Sequence, residues 1–371
     1  MAKFKDICTK IGSGATPKGG KEAYCEDGIS LIRSQNVLDF AFSAGGLAYI
    51  NELQAEKLKN VIVEEEDVLL NITGDSVARA CIVDKKYLPA RVNQHVCIIR
   101  ADSSKAIPSY LLYYLQLNKK YLLQLASGGA TRNALTKDMI NNLELELPTI
   151  EEQQKVVAVL DDIQKKIDFN NAINENLEQQ IEAIFNNKYA PSLCSPNWVV
   201  GTIGDVVTLQ RGYDLPKDKM VSGSYPVAGS TDTIFYHNEY TTEAPCVVMG
   251  RSGNIGKPRL YMERCWAHNT TLFVKDFKGN NPYWSYYMLR SIDYSQFRGG
   301  SAVPTLNRNH VHSFEISIPP VSQQNEFAEI ILPLLLLIEN NRKEIKRLST
   351  LREALLPKLM SGELDVSVID L

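Results

Sequence analysis

Leu143-Glu144-Leu145-Glu146-Leu147-Pro148-Thr149-Ile150-Glu151-Glu152-Gln153 returns as Phe314-Glu315-Ile316-Ser317-Ile318-Pro319-Pro320-Val321-Ser322-Gln323-Gln324, at an offset of 171. The same offset joins Gly128-Gly129-Ala130 to Gly299-Gly300-Ser301 and Leu135 to Leu306. Nearer the start of each half, Asp6, Thr9, Pro17 and Lys18 answer to Asp205, Thr208, Pro216 and Lys217 at an offset of 199, and Val68-Leu69-Leu70 with Gly74 answers to Val247-Val248-Met249 with Gly253 at 179. A drifting offset means two related domains whose interiors have diverged in length while their ends have not.

Past each copy of the motif the texture changes. From Glu151 to Lys188 there is no Gly or Pro, and Val156, Leu160, Ile163, Ile167, Leu177, Ile181 and Ile184 fall at helical steps, with Asn170 and Asn174 in the two vacant seam positions. The second copy runs Phe327, Ile331, Leu334, Ile338, Asn341, Ile345, Leu348 and Leu355. Pro333 predicts a kink there, or a regular helix that starts late. A helix of this length, about 57 Å at 1.5 Å per residue, cannot bury so narrow a stripe alone. The sequence therefore predicts that the two helices pair as an antiparallel coiled coil. A direct repeat would then become a pseudo-two-fold object, with globular units about 50 Å apart.

Within the halves, short β-branched runs such as His95-Val96-Cys97-Ile98-Ile99 alternate with Gly, Asn and Asp turns. Ser109 to Leu125 and Pro282 to Phe297 read as helical. The expectation is an α+β protein: a mostly-β domain over 1–149, a central helix over 150–190, a second such domain over 191–319 and a C-terminal helix over 320–371.

The 371 residues carry 40 Lys+Arg against 43 Asp+Glu, for a net charge of −3, which speaks mildly against nucleic acid. No apolar run is long enough to span a membrane and no signal pattern opens the chain, so a cytoplasmic protein with no membrane partner is expected. The 7 cysteines include no C-x-x-C pair, which points to buried free thiols rather than disulfides or zinc.

Catalytic patterns are weak. Around Gly19-Gly20-Lys21 a P-loop fails, since Ala15 stands where Gly is needed and Glu22 where a hydroxyl is needed. Asn281-Pro282-Tyr283 is only a faint match to an adenine-methyltransferase motif, and His310 with His312 lacks further metal ligands and reads as an exposed loop. No catalytic residue and no metal ligand is assigned. What remains is a set of polar loop residues suited to base edges: Arg33, Gln35, Asn36, Thr73, Arg79, Asn93, Gln94 and Arg132 in the first half, and Arg211, Ser230, Arg251, Asn254, His268, Asn269 and Arg308 in the second. Arg suits guanine and Asn or Gln suits adenine because each offers a two-point pattern.

Three motifs resemble the DNA specificity subunits of type I restriction-modification systems: the repeated Leu-Pro-Thr-Ile-Glu-Glu-Gln-Gln stretch, the closing Leu351-Arg352-Glu353-Ala354-Leu355-Leu356-Pro357-Lys358-Leu359, and Pro196-Asn197-Trp198 with Ile203-Gly204-Asp205-Val206. The first half departs from that pattern, opening at Phe4-Lys5-Asp6-Ile7 without a Pro-x-x-Trp, which predicts a shorter or differently anchored first strand. The resemblance implies two target recognition domains reading a split site on double-stranded DNA. It also implies helices that dock two methyltransferase subunits, with restriction subunits outside. No cofactor is expected on this chain; S-adenosylmethionine would belong to the methyltransferase. The competing expectation is a coiled-coil scaffold that binds only protein.

Divided by segment, the charge is +1 over 1–149, −4 over 150–190, +2 over 191–319 and −2 over 320–371. The acidic excess lies on the helices, so the two domains remain compatible with DNA.

Overall fold

The stretch that opens each long helix is locked in place twice by the same chemistry. In the first, the Thr149 hydroxyl accepts the Glu152 backbone N–H at 3.3 Å, while the Glu152 carboxylate accepts the Thr149 N–H at 2.9 Å. This reciprocal cap satisfies donors that the first turn cannot. The central helix then runs Ile150–Lys188. Gln153, fully buried, accepts the Ile107 N–H at 2.9 Å and donates to the carbonyls of Lys105 at 3.0 Å and Pro148 at 2.9 Å. Gln324, also fully buried, accepts the Asn281 N–H at 2.8 Å and donates to the Pro319 carbonyl at 3.0 Å and the Asn280 side chain at 2.9 Å. Ile107 and Asn281 immediately precede the domain helices Pro108–Leu117 and Pro282–Arg290, so each glutamine ties a spacer helix to its domain.

The computed structural model describes residues 1–371 except 18, 129–132, 194, 253–254, 298–304 and 367–371. The chain folds as two compact units, Met1–Asp168 with Ile345–Leu371, and Phe169–Glu344. Both long helices contribute to each unit.

In the first unit an antiparallel sheet runs in the order Cys8–Ser13, Val96–Ala101, Val68–Asn71, Ala80–Ile82. A second sheet runs Ala48–Ile50, Ile29–Ile32, Ala90–Val92, Ile62–Val63, its middle pair parallel. Alternation along the strands divides the core. Leu69, Cys81, Val96 and Ile98 pack with the second sheet. Val68, Leu70, Cys97 and Ile99 pack with the domain helices and with Val156, Leu160, Leu356 and Leu359 of the long helices. Burial on both faces is why these strands read as continuous apolar runs.

The second unit repeats this order as Thr208–Arg211, Thr271–Asp276, Cys246–Gly250, Arg259–Tyr261. Its other sheet joins Thr233–His237, Ser222–Ala228 and Trp266–Ala267, the last pair again parallel. Leu177, Ile181, Phe185, Phe327, Ile331, Leu335 and Ile338 of the long helices complete its core. The strand that follows Trp198, Val199–Thr202, pairs with Glu315–Ile318, and the Trp198 indole donates to Gln323 at 2.9 Å. In the first unit, which has no such tryptophan, the matching strand is only Ala2–Lys3 against Glu144–Leu145.

The C-terminal helix runs Val321–Met360. It starts at its motif, not late, and remains helical on both sides of Pro333. The buried stripe Phe327, Ile331, Leu335, Ile338 continues on both sides of the proline, and that packing outweighs the one hydrogen bond a proline lacks. Within the second unit the helices pair antiparallel: Asn170 donates to Glu344 at 2.8 Å and Asn341 to Asn174 at 2.9 Å, so the position falls on one helix as it rises on the other, while Arg342 reaches along the pair to Glu178 at 2.8 Å. Within the first unit Arg352 donates to Gln164, and the Tyr113 hydroxyl reaches Asp161 at 2.8 Å. The seam asparagines are buried and paired with one another or with a carboxylate. The fold is α+β, as the sequence texture predicts. Each predicted domain helix is broken near its middle: Pro108–Leu117 is followed by Lys119–Ser127, and Pro282–Arg290 by the single turn Tyr294–Phe297.

Candidate nucleic-acid interface

The repeat carries through to the loops at one end of each first sheet. Thr73 bridges Ala134, and Ser252, its equivalent in the second half, bridges Thr305. The Leu135 N–H donates to the Ile72 carbonyl and the Leu306 N–H to the Arg251 carbonyl, both at 2.8 Å. Gly14 and Gly212 are the close-approach points: a Cβ would collide with the Val92 carbonyl oxygen in one and with that of His268 in the other. Only glycine lets the end of the first strand cross there.

In the first unit these loops enclose an open pocket of about 440 Å³ lined by Ser34, Gln35, Thr73, Gly74, Asp75, Ser76, Arg79 and His95. Gln35, Thr73 and Arg79 were predicted from sequence, and the structure brings them together. His95 is held from both sides, by Thr73 at 2.5 Å on Nδ1 and by Gln94 at 3.0 Å on Nε2. Gln94 therefore sits at the rim.

Asn36 and Asn93 need correction as base readers. Asn36 is fully buried, accepting the Arg33 N–H at 3.0 Å and donating to the Ser43 carbonyl at 2.9 Å. Asn93 is buried and accepts the His95 N–H at 3.0 Å. Both shape the loops from within. Arg33 spends its Nη2 on the Gly46 carbonyl at 2.6 Å, and Gln35 also donates there at 3.1 Å. Arg132 lies outside the described residues.

In the second unit Arg211, Arg251, His268 and Asn269 converge. Arg211 donates to the Asn269 carbonyl at 3.4 Å, the Arg251 N–H to the Thr270 carbonyl at 3.0 Å, and His268 shares a 3.2 Å hydrogen bond with the Thr270 hydroxyl. The Asn269 amide is held by Asp214. Burial depresses His268 below the usual histidine range, favouring a neutral ring. Ser230 lies in the turn after Ala228, whose carbonyl accepts the His268 N–H at 3.1 Å. Exposed Arg308 opens the short helix Arg308–His312, just past Leu306. Asn254 lies outside the described residues.

Sequence reasoning missed Gly74-Asp75-Ser76, which line the pocket, and Asp214, which holds Asn269. The first was signalled by the matched glycines at 74 and 253. His312 is neither metal ligand nor exposed loop: it lies on the short helix Arg308–His312, half-buried, and its Nε2 accepts the Leu209 N–H at 2.9 Å. Among the described residues no group of three or more His, Cys, Asp or Glu could hold a metal, and no helix is long and apolar enough to cross a membrane. Cys81, Cys97, Cys246 and Cys265 are buried free thiols, while Cys25 is exposed; burial pushes Cys81 and Cys97 up to about 12.

Two β-rich domains with duplicated polar loops, joined by paired long helices, define a class of repeated recognition module. A model of the type I restriction modification DNA specificity domain matches residues 1–179 and again 196–350, and the chain belongs to this family. It is similar to the type I restriction enzyme MjaIX specificity subunit of Methanocaldococcus jannaschii, 24% identical over 417 residues that cover 99% of this chain and 93% of that one. It is also similar to the HindI specificity subunit of Haemophilus influenzae, 25% identical over 160 residues covering 42% of this chain and 34% of that one. The fold resembles the crystal structure of a type I restriction-modification S subunit from M. genitalium, with a TM-score of 0.59 at 14% identity over 96% of this chain and 95% of that chain. The chain is a type I specificity subunit with two DNA-recognition domains, which favours DNA reading over a scaffold that binds only protein.

Proposed function

We propose that each domain reads one half of a bipartite site on double-stranded DNA through the loop cluster at the end of its sheet. Gln35, Thr73, Arg79 and Gln94 would act in the first, and Arg211, Ser230, Arg251, His268, Asn269 and Arg308 in the second. The observation that supports this most is the duplication: two sheets of the same strand order present equivalent polar loops. The helices would dock two methyltransferase subunits, with restriction subunits outside, in the cytoplasm. Exposed Phe169, Leu336 and Leu337, together with the acidic excess, give those helices a surface suited to protein. The chain itself would be non-catalytic and bind no cofactor, S-adenosylmethionine being carried by the methyltransferase.

Methylome sequencing of a host with the complete system tests this. A two-part methylated motif should be present and should vanish when this gene is deleted; an unchanged methylome overturns the proposal. In the assembled complex, affinity should fall steeply between about 50 and 200 mM salt.

A further inference from the structure

The first unit's pocket holds two oppositely charged side chains that the fold does not use. Asp75 and Arg79 both line it, and among the described residues neither side chain enters a hydrogen bond or an ion pair. The surroundings are fixed. Buried Asn71 donates to the Ser34 carbonyl at 2.8 Å and the Val37 carbonyl at 3.2 Å, pinning one wall. The Gly74 N–H reaches the Asn133 carbonyl at 3.2 Å, and the turn from Gly74 to Ala78 is bounded by two left-handed residues, φ 75° and 67°.

A carboxylate facing DNA repels the phosphates, so an acid here is useful only toward a donor on a base edge. The fold does not demand it: at the corresponding place in the second half the sequence has Asn254. The basic partner does recur: left-handed Ala78 and Gly256 donate their N–H groups to the carbonyls of Asn71 and Gly250, so Lys257, the residue after Gly256, answers to Arg79, the residue after Ala78.

We infer that Asp75 and Arg79 together read one G·C base pair in the first domain's half-site. The guanidinium donates to guanine O6 and N7, and the carboxylate accepts from the cytosine N4 amino group. A pocket for phosphate would carry the arginine without the acid. The inference rests on the proposed DNA-facing role of this pocket.

The test uses the complex with its methyltransferase and a panel of duplexes, each changed at one base pair of the recognised site. The wild-type complex should discriminate at a G·C pair of the half-site that Arg251→Ala leaves untouched. Asp75→Asn and Arg79→Ala should each lower discrimination at that pair about tenfold, with the other positions unchanged. Asp75→Asn breaks no internal contact, so an unchanged melting temperature verifies its fold. Unchanged discrimination everywhere, or an equal loss at all positions, overturns the inference. A wild-type complex with no sequence preference at all would instead remove the function proposed above.

Discussion

Gln153 and Gln324 occupy the same place in the two copies of the repeat, and each uses its side-chain oxygen to hold the backbone N–H just before a domain helix and its side-chain nitrogen to hold the proline motif. Neither bond set is replaceable by water, since both residues are fully buried. Gln153→Leu leaves an N–H and two carbonyls unpaired and should cost about 2–4 kcal/mol. Gln324→Leu should cost a similar amount. Denaturant midpoints measure this, and wild-type midpoints would show that the tie carries no stability.

The seam asparagines should behave differently. Asn341→Leu strands the buried Asn174 carbonyl and should destabilise by about 1–3 kcal/mol. The double change Asn174→Leu with Asn341→Leu should restore or exceed wild-type stability, because an apolar pair suits a coiled-coil seam better. Thermal unfolding of the three variants decides it; a double variant weaker than Asn341→Leu would refute the account.

Anchors and readers in the loops should separate cleanly. Asn36→Ala should lower stability by about 1–3 kcal/mol while the methylated motif of the folded complex stays the same. Arg251→Ala should leave the unfolding free energy within about 0.5 kcal/mol of wild type and relax one half-site. Methylome sequencing beside calorimetry reads both.

That contrast marks what the sequence could disclose. The duplication, the two helices and their seam asparagines were legible because periodicity and offset are properties of sequence alone. The roles of Asn36 and Asn93 were not, since an asparagine in a loop looks alike whether its amide holds the backbone or faces solvent. Pro333 did not delay the start of the C-terminal helix, because the buried stripe from Phe327 to Ile338 packs on both sides of it. Asp75 escaped notice because an acid contradicts the expected charge of a DNA surface. Its place in the same pocket as Arg79 is a tertiary fact that no sequence pattern carries.

A pH dependence follows from His312. Burial, followed by the positive charges of Lys278 and Arg308, holds its ring below the usual histidine range, and the ring must be neutral to accept the Leu209 N–H. Above about pH 6.5 the ring is neutral in both folded and unfolded chains, and its contribution is complete. As pH falls below 6.5 toward the depressed folded value, the unfolded chain takes up a proton that the folded one refuses, and stability drops. His268 adds in the same sense. His312→Gln should flatten part of that acid-side slope in melting curves; an unaltered slope would exclude the ring as its source.

Phe169 is 65% exposed on the central helix. Phe169→Asp should leave the chain's own stability within about 0.5 kcal/mol, since it touches no core, yet weaken copurification with the methyltransferase subunit. Undiminished copurification would place the docking surface elsewhere.

The first unit is built from the two ends of the chain, Met1–Asp168 and Ile345–Leu371, with Phe169–Glu344 between them. During synthesis at about 5–20 residues per second, its sheet, complete at Ala101, waits roughly 13–50 s for Leu356 and Leu359 to be made and cover it. The domain made first is therefore the last to be finished, and it is the one exposed to chaperones and proteases while its partner half is being translated.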